Sequence, residues 1–196
     1  MAKPDAEAAG DDASDPATSQ RVAAWVEYDG SAFHGWQLQP DVPSVQAELE
    51  NAFGFVADHP IRVHCAGRTD AGVHATAQLI HFDACNQRPL QSWLRGANAN
   101  LPDTVAVRGG SLVPQDFHAR FSALSRRYRY LICNEPVRPA IGGGYLSWVR
   151  QPLDAGAMHS EAQVLLGEQD FSSFRAAACQ SSTPMRRVDF ISVTRN

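Results

Sequence analysis

The sequence predicts an α+β fold made of two ferredoxin-like (RRM-like) units, the second of them incomplete. The first observation behind this prediction is the element order strand-helix-strand-strand-helix-strand across residues 21–113. The second is a further series of strand and helix patterns from residue 127 onwards, which starts like a copy of the first. In each such unit two helices pack on one face of a four-stranded sheet.

Six segments make up the predicted first unit. The helix after Ser44 is the best marked, because serine is a good N-cap and apolar residues then recur at helical spacing. Pro89 marks the start of the second helix, since proline is favoured in a first turn. The predicted strands are 21–27, 60–66, 75–83 and 104–113, the last broken by Gly109 and Gly110, and the predicted helices are 45–56 and 89–98.

The second series of elements is shorter than the first. Strands are predicted at 127–133, 145–149 and 187–194, and a helix at 154–166 with Gly167 as its stop signal. A complete second unit would need a further strand, helix and strand, so we expect a truncated or partial chain. The expected domains are a disordered acidic tail at 1–20, a first unit at 21–115 and a truncated second unit at 116–196.

The net charge of −4 resides entirely in the tail. Residues 1–20 hold five acids and Lys3, while the rest of the chain has sixteen arginines, sixteen acids and no lysine. The tail also lacks apolar periodicity, which is typical of disorder. The charge of the whole chain therefore neither favours nor excludes a nucleic-acid partner, and local clusters have to decide.

The composition excludes several other classes. No apolar run approaches the roughly 18 residues of a transmembrane helix, and the acidic N-terminus lacks the apolar region of a secretion signal. We therefore expect a cytoplasmic protein without a membrane partner. The cysteines are far apart, which predicts neither a zinc site nor a disulfide scaffold. We expect reduced and mostly buried thiols at Cys65, Cys85, Cys133 and Cys179.

The loop at residues 67–74, GRTDAGVH, is the sharpest chemical signal. Gly67 and Gly72 allow a tight turn that exposes the carboxylate of Asp70 beside the guanidinium of Arg68. A neighbouring cation keeps an aspartate ionised. The same chemistry also describes a hairpin turn with a surface ion pair. The loop is not a phosphate-binding loop, because the pattern G-x-x-x-x-G-K-[ST] is missing.

The segment CAGRTDAGVH at 65–74 resembles the signature of the tRNA pseudouridine synthase A (TruA) family. Further segments match that family in order and spacing: EYDGS at 27–31 with GWQ at 35–37, NANLP at 98–102, DFHARFS at 116–122, RRYRY at 126–130, LLGE at 165–168 and DFSSFR at 170–175. The resemblance covers nearly everything from Val22 to Asn196, which makes coincidence negligible.

This resemblance implies a pseudouridine synthase fold, in which the two units join through a mixed, mainly antiparallel sheet. It implies an isomerase that converts uridine to pseudouridine at positions 38, 39 and 40 of the tRNA anticodon stem-loop, without a metal or an organic cofactor. Asp70 matches the family's catalytic aspartate, Arg68 the residue that fills the vacated space, and Tyr128 the aromatic that stacks on the target base. Family members act on tRNA as homodimers, so tRNA is the expected partner here, and a homodimer is expected for the full-length protein.

Four arginines and no acid lie between residues 117 and 134, interleaved with aromatic side chains. Such a mixture suits RNA phosphates and unstacked bases. The resemblance favours base stacking for Tyr128, whereas strand alternation alone would equally allow it a place in a core, and Tyr130 is interpreted as structural. The expected RNA-binding residues are Arg120, Arg126, Arg127 and Arg129.

Three departures from the family pattern matter. Leu38 and Ser182 stand where a basic residue is frequent, so those two RNA contacts are not expected. Family members also continue with a helix that holds an arginine for the catalytic aspartate, so we expect the 196-residue chain to be inactive.

Two alternatives remain open. One is a non-catalytic RRM-like RNA-binding module, although the RNP1 aromatic pattern is missing. The other is an N-glycoside hydrolase that uses Asp70 and releases free uracil.

Overall fold

The computed structural model describes residues 19–175 and 183–196. The strands are β1 (Gln20–Tyr28), β2 (His64–Cys65), β3 (Ala75–Ala84), β4 (Val105–Leu112), β5 (Ile132–Cys133), β6 (Ser147–Trp148), β7 (Gly167–Asp170) and β8 (Met185–Val188). The α-helices are α1 (Val45–Ala57), α2 (Leu90–Asn100) and α3 (Ala155–Ala162). These elements form two compact units, and the division falls between Tyr128 and Arg129.

β1 lies in the middle of the four-stranded sheet of the first unit. The strand order is β2-β3-β1-β4, and every neighbouring pair is antiparallel. Side chains alternate along β1, so Val22, Val26 and Tyr28 are buried in the core while Trp25 is 43% exposed on the other face. The element order predicted for 21–113 is present, although β2 is confined to two residues of the predicted segment 60–66.

The two helices of this unit share one hydrophobic core with the sheet. Ser44 is the N-cap of α1 as predicted, and its hydroxyl accepts a hydrogen bond from the N–H of Ala47 at 3.3 Å. Phe82 of β3 contacts both helices, with its ring centroid 4.3 Å from that of Phe53 and 5.4 Å from that of Trp93. All three aromatic side chains are fully buried, so replacing any of them by alanine would cost about 3–5 kcal/mol.

β4 contains a bulge where we predicted a break. Trp25 pairs with Gly109 and Val26 with Val107, which leaves Arg108 as the extra residue. The indole of Trp25 lies against Gly109, where a Cβ atom would collide with it. The glycine therefore gives the ring room to lie on the strand, and β4 continues without interruption to Leu112.

Residues 116–128 lie with the first unit, whereas we expected them in the second. Arg21 of β1 holds this segment, because its guanidinium donates to the carbonyl oxygen of Phe117 at 2.8 Å. Ala119 is fully buried, and its N–H donates to Nδ1 of His81 at 3.2 Å. Side chains from β1 and β3 thus fix the course of the chain after β4.

The second unit has shorter strands than the sequence predicts. β5 pairs with β6 in parallel and β7 with β8 in antiparallel orientation. The predicted strand 127–133 is reduced to its last two residues, and the one predicted at 187–194 instead begins at Met185 and ends at Val188. The fully buried hydrophobic side chains of the described chain all belong to the first unit, so little apolar packing extends these strands.

The helix predicted at 154–166 ends early. α3 stops at Ala162, and a 3-10 turn over Gln163–Leu165 follows it. Asp154 caps the helix, since its side chain accepts a hydrogen bond from the N–H of Ala157. Gly167 has φ +84° and begins β7, so its left-handed conformation marks the change from helix to strand.

The predicted tail at 1–20 lies outside the described residues, apart from Ser19 and Gln20. Gln20 is already the first residue of β1. Ser182, the position where a basic residue was expected in relatives, also lies outside them. Within residues 19–175 and 183–196, no helix is long and apolar enough to cross a membrane.

The described cysteines are free thiols with different exposure. Cys65 and Cys133 are partly buried, while Cys85 is exposed, so the prediction of a buried thiol is wrong at Cys85. The reason is its location just after the end of β3, where the chain leaves the sheet. Cys179 lies outside the described residues.

Candidate active site

The loop at 67–74 joins the neighbouring antiparallel strands β2 and β3. The ladder between these strands ends soon after it begins, since Cys65 pairs with Ile80 and the N–H of Ala66 donates to the carbonyl of Leu79 at 2.8 Å. Beyond Ala66 the loop has no strand partner on this side. Other contacts must therefore hold the backbone that carries Asp70.

Gln78 supplies the first of these contacts. Its side-chain carbonyl accepts the N–H of Gly67 at 3.3 Å, and its amide nitrogen donates to the carbonyl of the same glycine. The amide nitrogen also lies 3.4 Å from the hydroxyl of Tyr28. That hydroxyl is 2.8 Å from Oγ1 of Thr69, so one buried tyrosine of the central strand reaches the residue before Asp70.

The chain after β1 supports the other side of the loop. The N–H of Trp36 donates to the carbonyl of Thr69 at 2.9 Å. Gly35 has φ +99°, and a Cβ atom there would lie only 2.9 Å from the same carbonyl oxygen. Gly30 lies so close to the backbone of Val73 that a Cβ atom would collide with its carbonyl group. Both glycines are needed because two stretches of backbone touch here.

His74 closes the far end of the loop. Its Nδ1 accepts the N–H of Gly30 at 3.1 Å and lies 3.1 Å from a carboxylate oxygen of Asp29. Within the loop, the N–H of Val73 donates to the carbonyl of Asp70 at 3.2 Å, which makes a tight turn at Ala71 and Gly72. The backbone is thus held before, inside and after the turn.

The side chains of Arg68 and Asp70 are both exposed. No ion pair within 4.0 Å joins Asp70 to any residue that the structure describes, so the simple hairpin ion pair with Arg68 is not formed. The backbone of the loop is therefore fixed, while the carboxylate of Asp70 is open to solvent.

Arg126 and Tyr128 lie against the start of the loop. Nε and Nη2 of Arg126 both donate to the carbonyl of Ala66, at 2.9 and 2.6 Å. A methyl group on Gly67 would lie 3.1 Å from Nε of Arg126 and 3.8 Å from the hydroxyl of Tyr128. Tyr128 is 75% exposed, so it is not a residue of the hydrophobic core.

The other predicted RNA-binding arginines are exposed as well. The guanidinium carbon of Arg120 lies 5.5 Å from the ring centroid of Phe121, within the range of a cation–π contact. Arg127 belongs to the first unit and Arg129 to the second. Tyr130, interpreted as structural, is 77% exposed in the second unit, where its hydroxyl accepts a hydrogen bond from Ser147 at 2.8 Å.

Burial beneath the loop changes the acidity of two groups. It raises the pKa of the Cys65 thiol to about 11, against the lowering effect of Arg68 and Arg120. It also raises the pKa of Tyr28, although the hydrogen bonds with Thr69 and Gln78 act in the opposite direction. Both groups therefore stay protonated at neutral pH, and Tyr28 retains the hydroxyl hydrogen that its bonds require.

Three imidazoles, to which the sequence assigned no role, form a cluster beside β3. The ring centroid of His81 lies 4.9 Å from that of His64 and 4.5 Å from that of His118. His81 is buried, and its burial together with the neighbouring His118 and His64 lowers its pKa to about 4. Among the described residues, no group of three or more His, Cys, Asp or Glu could hold a metal ion.

Sequence reasoning missed Gln78 and Tyr28, although a signal for Gln78 was present. It falls on the same alternation as the core residues Ile80 and Phe82 of β3, so a polar side chain on that face needs a partner. Gly30 and Gly35 belong to segments that resemble the family, but their contact with the loop is visible only in three dimensions.

A sequence model of the family described as tRNA pseudouridine synthase matches residues 24–122, which include every contact of the loop described above except those of Arg126 and Tyr128. The chain belongs to the tRNA pseudouridine synthase family. The resemblance predicted from the sequence is thereby confirmed. Members of this family are isomerases that form pseudouridine in tRNA.

Individual relatives agree with the family match. The tRNA pseudouridine synthase A of Aliivibrio fischeri strain MJ11 is 56% identical over 176 residues, which is 90% of this chain and 67% of the relative. The enzyme of Shewanella frigidimarina is 54% identical over 175 residues, 89% of this chain and 67% of the relative. That of Shigella boydii serotype 4 is 55% identical over 176 residues, 90% of this chain and 65% of the relative. The chain thus spans about two thirds of the length of these curated relatives.

Proposed function

We propose that this member of the tRNA pseudouridine synthase family isomerises uridine to pseudouridine with Asp70 as its catalytic carboxylate. The observation that carries the proposal is the contrast between the backbone and the side chain of the loop. The backbone is tied to Tyr28, Trp36 and Gln78, whereas the carboxylate of Asp70 is exposed. Because the backbone at Asp70 is already fixed, only the side-chain torsions of this residue have to be ordered when a substrate arrives.

The reaction needs one such group. The bond from C1′ of the ribose to N1 of uracil breaks, the base turns, and a bond from C1′ to C5 forms. The proton that leaves C5 is balanced by one gained at N1, so no water is consumed. A glycoside hydrolase would instead use two carboxylates to activate a water molecule, and water has to be kept out of the isomerase.

The target uridine must leave the base stack before Asp70 can reach it, which costs a few kcal/mol. We propose that Tyr128 stacks on the flipped uracil and that Arg68 fills the space it vacates. The exposure of Tyr128 and its nearness to Gly67 support the first role. The exposure of Arg68, two residues before Asp70, supports the second.

The proposed substrate is the anticodon stem-loop of tRNA at positions 38, 39 and 40. Exposed Arg120, Arg127 and Arg129 would contact its phosphates, because arginine binds phosphate oxygens through a planar fork. We also propose a homodimer as the active assembly and the cytoplasm, where tRNA is used, as its compartment.

We propose in addition that both units follow the ferredoxin-like plan and join through a mixed, mainly antiparallel sheet. The strand order β2-β3-β1-β4 with two helices on one face supports this plan for the first unit. The helix and the two short ladders at 132–188 support it for the second.

The test compares wild-type full-length protein with Asp70→Asn for tRNA binding, pseudouridine formation and uracil release. Asp103→Asn is the matched control, since Asp103 is an exposed aspartate in the turn before β4. We expect Asp70→Asn to bind tRNA but form no pseudouridine, while the control retains activity. Tight binding without pseudouridine in the wild type would favour an RNA-binding module, and released uracil would favour a hydrolase.

A further inference from the structure

We propose that Arg126 is a positioning residue that holds the start of the 67–74 loop and Tyr128 together, and that it does not bind RNA. This inference rests on the proposed function of Asp70 and Tyr128. It also separates Arg126 from the other arginines of the same segment, with which charge and spacing alone had grouped it.

The hydrogen bonds of the Arg126 guanidinium are the first observation that supports this role. Nε and Nη2 of Arg126 donate to the carbonyl of Ala66, and Nη2 also lies 3.2 Å from the carbonyl of Arg120. Ala66 is the last residue of the β2–β3 ladder before the loop, and Arg120 follows the buried Ala119. One side chain therefore joins the root of the loop to the segment that runs on towards Tyr128.

The place of Gly67 carries the second step. The side chain of Arg126 lies so close to this glycine that a methyl group would be 3.1 Å from its Nε and 3.2 Å from its Cδ. The hydroxyl of Tyr128 is 3.8 Å from the same point. Moving Arg126 would therefore shift Gly67, whose backbone is bound by Gln78, and release the segment that contains Tyr128.

Arg127 provides the internal comparison. It is exposed, and the structure gives its side chain no hydrogen bond or ion pair with the described residues, so its whole fork is open to a phosphate. Nε and Nη2 of Arg126 instead donate hydrogen bonds to carbonyl oxygens of the protein. Two neighbouring arginines are thus assigned opposite tasks.

Lysine distinguishes the two tasks, because it keeps the charge but cannot form a planar fork with fixed donors. A lysine can still contact a phosphate. It cannot donate two hydrogen bonds of fixed geometry to the carbonyl oxygen of Ala66, as Nε and Nη2 of Arg126 do. Arg126→Lys is therefore the informative variant, with Arg127→Ala as the comparison. Arg95→Lys is the neutral control, since Arg95 is an exposed residue of α2 outside the site.

The experiment measures kcat, KM and tRNA affinity at several salt concentrations with the full-length protein and an unmodified tRNA transcript. For Arg126→Lys we expect kcat to fall by roughly 10- to 100-fold, as small misplacements of reacting groups do, with unchanged affinity and salt dependence. For Arg127→Ala we expect weaker affinity and a salt slope reduced by about one. A kcat in Arg126→Lys equal to that of wild type, whether or not affinity changes, would overturn the proposal.

Hydrogen exchange of the loop amides in the free protein gives a second readout, independent of turnover. We expect faster exchange at residues 67–70 in Arg126→Lys than in wild type and Arg95→Lys. Unchanged exchange would also overturn the proposal. If the wild type forms no pseudouridine, the proposed function fails, yet the exchange experiment still decides whether Arg126 holds the loop.

Discussion

The side-chain amide of Gln78 forms hydrogen bonds with both backbone polar groups of Gly67. These two hydrogen bonds replace those that a paired strand residue would make, at the point where the β2–β3 ladder has ended. A side chain of β3 thus extends the sheet by one residue and fixes the entry to the turn that exposes Asp70.

Replacing Gln78 by leucine should loosen this entry while keeping the volume of the side chain. Three hydrogen bonds are lost, two with Gly67 and one with the hydroxyl of Tyr28, each with a net value of about 0.5–1.5 kcal/mol. We expect faster amide exchange at Gly67 and a lower kcat with little change in tRNA affinity. Gln87→Leu, at an exposed glutamine after β3, is the control. Equal kcat values in the two variants would contradict the positioning role.

Tyr28→Phe removes the hydroxyl that lies 2.8 Å from Oγ1 of Thr69 and keeps the buried ring. We expect a loss of about 1–2 kcal/mol of unfolding free energy, because the hydrogen bonds of this hydroxyl with Thr69 and Gln78 both disappear. In a double-mutant cycle with Thr69→Val, the two effects should be clearly non-additive. Additive losses, measured by urea denaturation, would show that the two side chains do not depend on each other.

Gly30→Ala should damage the site more than Gly72→Ala, although Gly72 belongs to the loop itself and Gly30 only contacts it. A Cβ atom on Gly30 would collide with the carbonyl group of Val73, whereas one on Gly72 meets nothing within 4 Å. The cost at Gly72 is therefore only that of its φ of +77°, about 1 kcal/mol. Loop exchange and pseudouridine formation measure the difference. A stronger defect in Gly72→Ala would contradict the predicted backbone contact.

His81 should make the first unit less stable in mild acid. Its pKa is about 4 in the folded protein, against 6.5 for an ordinary histidine, because of burial and the neighbouring His118 and His64. Between these values the unfolded chain binds more protons, so stability is lost as pH falls from about 6.5 to 4. We expect a loss on the order of 2 kcal/mol at pH 5 relative to pH 7.5.

Urea midpoints at the two pH values check this expectation, with His81→Asn as the variant. Asparagine can still accept the N–H of Ala119 but does not titrate, so the drop between pH 7.5 and 5 should shrink. The lowered pKa of His64 should leave part of it in place. The exposed His34 serves as control through His34→Asn. An undiminished drop in His81→Asn would contradict the assignment to His81.

The first unit was predictable because its signals are local and agree with each other. Ser44 precedes an apolar stripe of helical spacing, and the alternation in β1 and β3 is regular. The short length of β2 was not predictable, since side chains take the place of strand partners on both sides of it: Gln46 and Glu50 of α1 bind the backbone of Val63, and Gln78 binds that of Gly67. The contacts of Arg126 were not predictable either, because sequence alone cannot distinguish a guanidinium that is bound to the protein from one that is open to RNA.

The second unit shows where pattern reading fails. Residues 127–133 have strong strand propensity, yet only Ile132 and Cys133 pair, because a strand needs neighbours to supply its hydrogen bonds. Likewise the role proposed for Asp70 rests on the resemblance to a family, since the chemistry of its loop alone also fits an ordinary hairpin turn.

The thiols of Cys65, which pairs with Ile80 in the middle of β3, and of Cys85, which follows the end of β3, offer a practical handle. Cys65 lies next to the loop and stays protonated well above neutral pH, whereas Cys85 is exposed just beyond the other end of a strand of ten residues. A maleimide dye should therefore label Cys85 before Cys65, since only the thiolate reacts. Such a dye would sit roughly 30 Å along the strand from the loop. It could then report on tRNA docking by energy transfer without touching the carboxylate of Asp70.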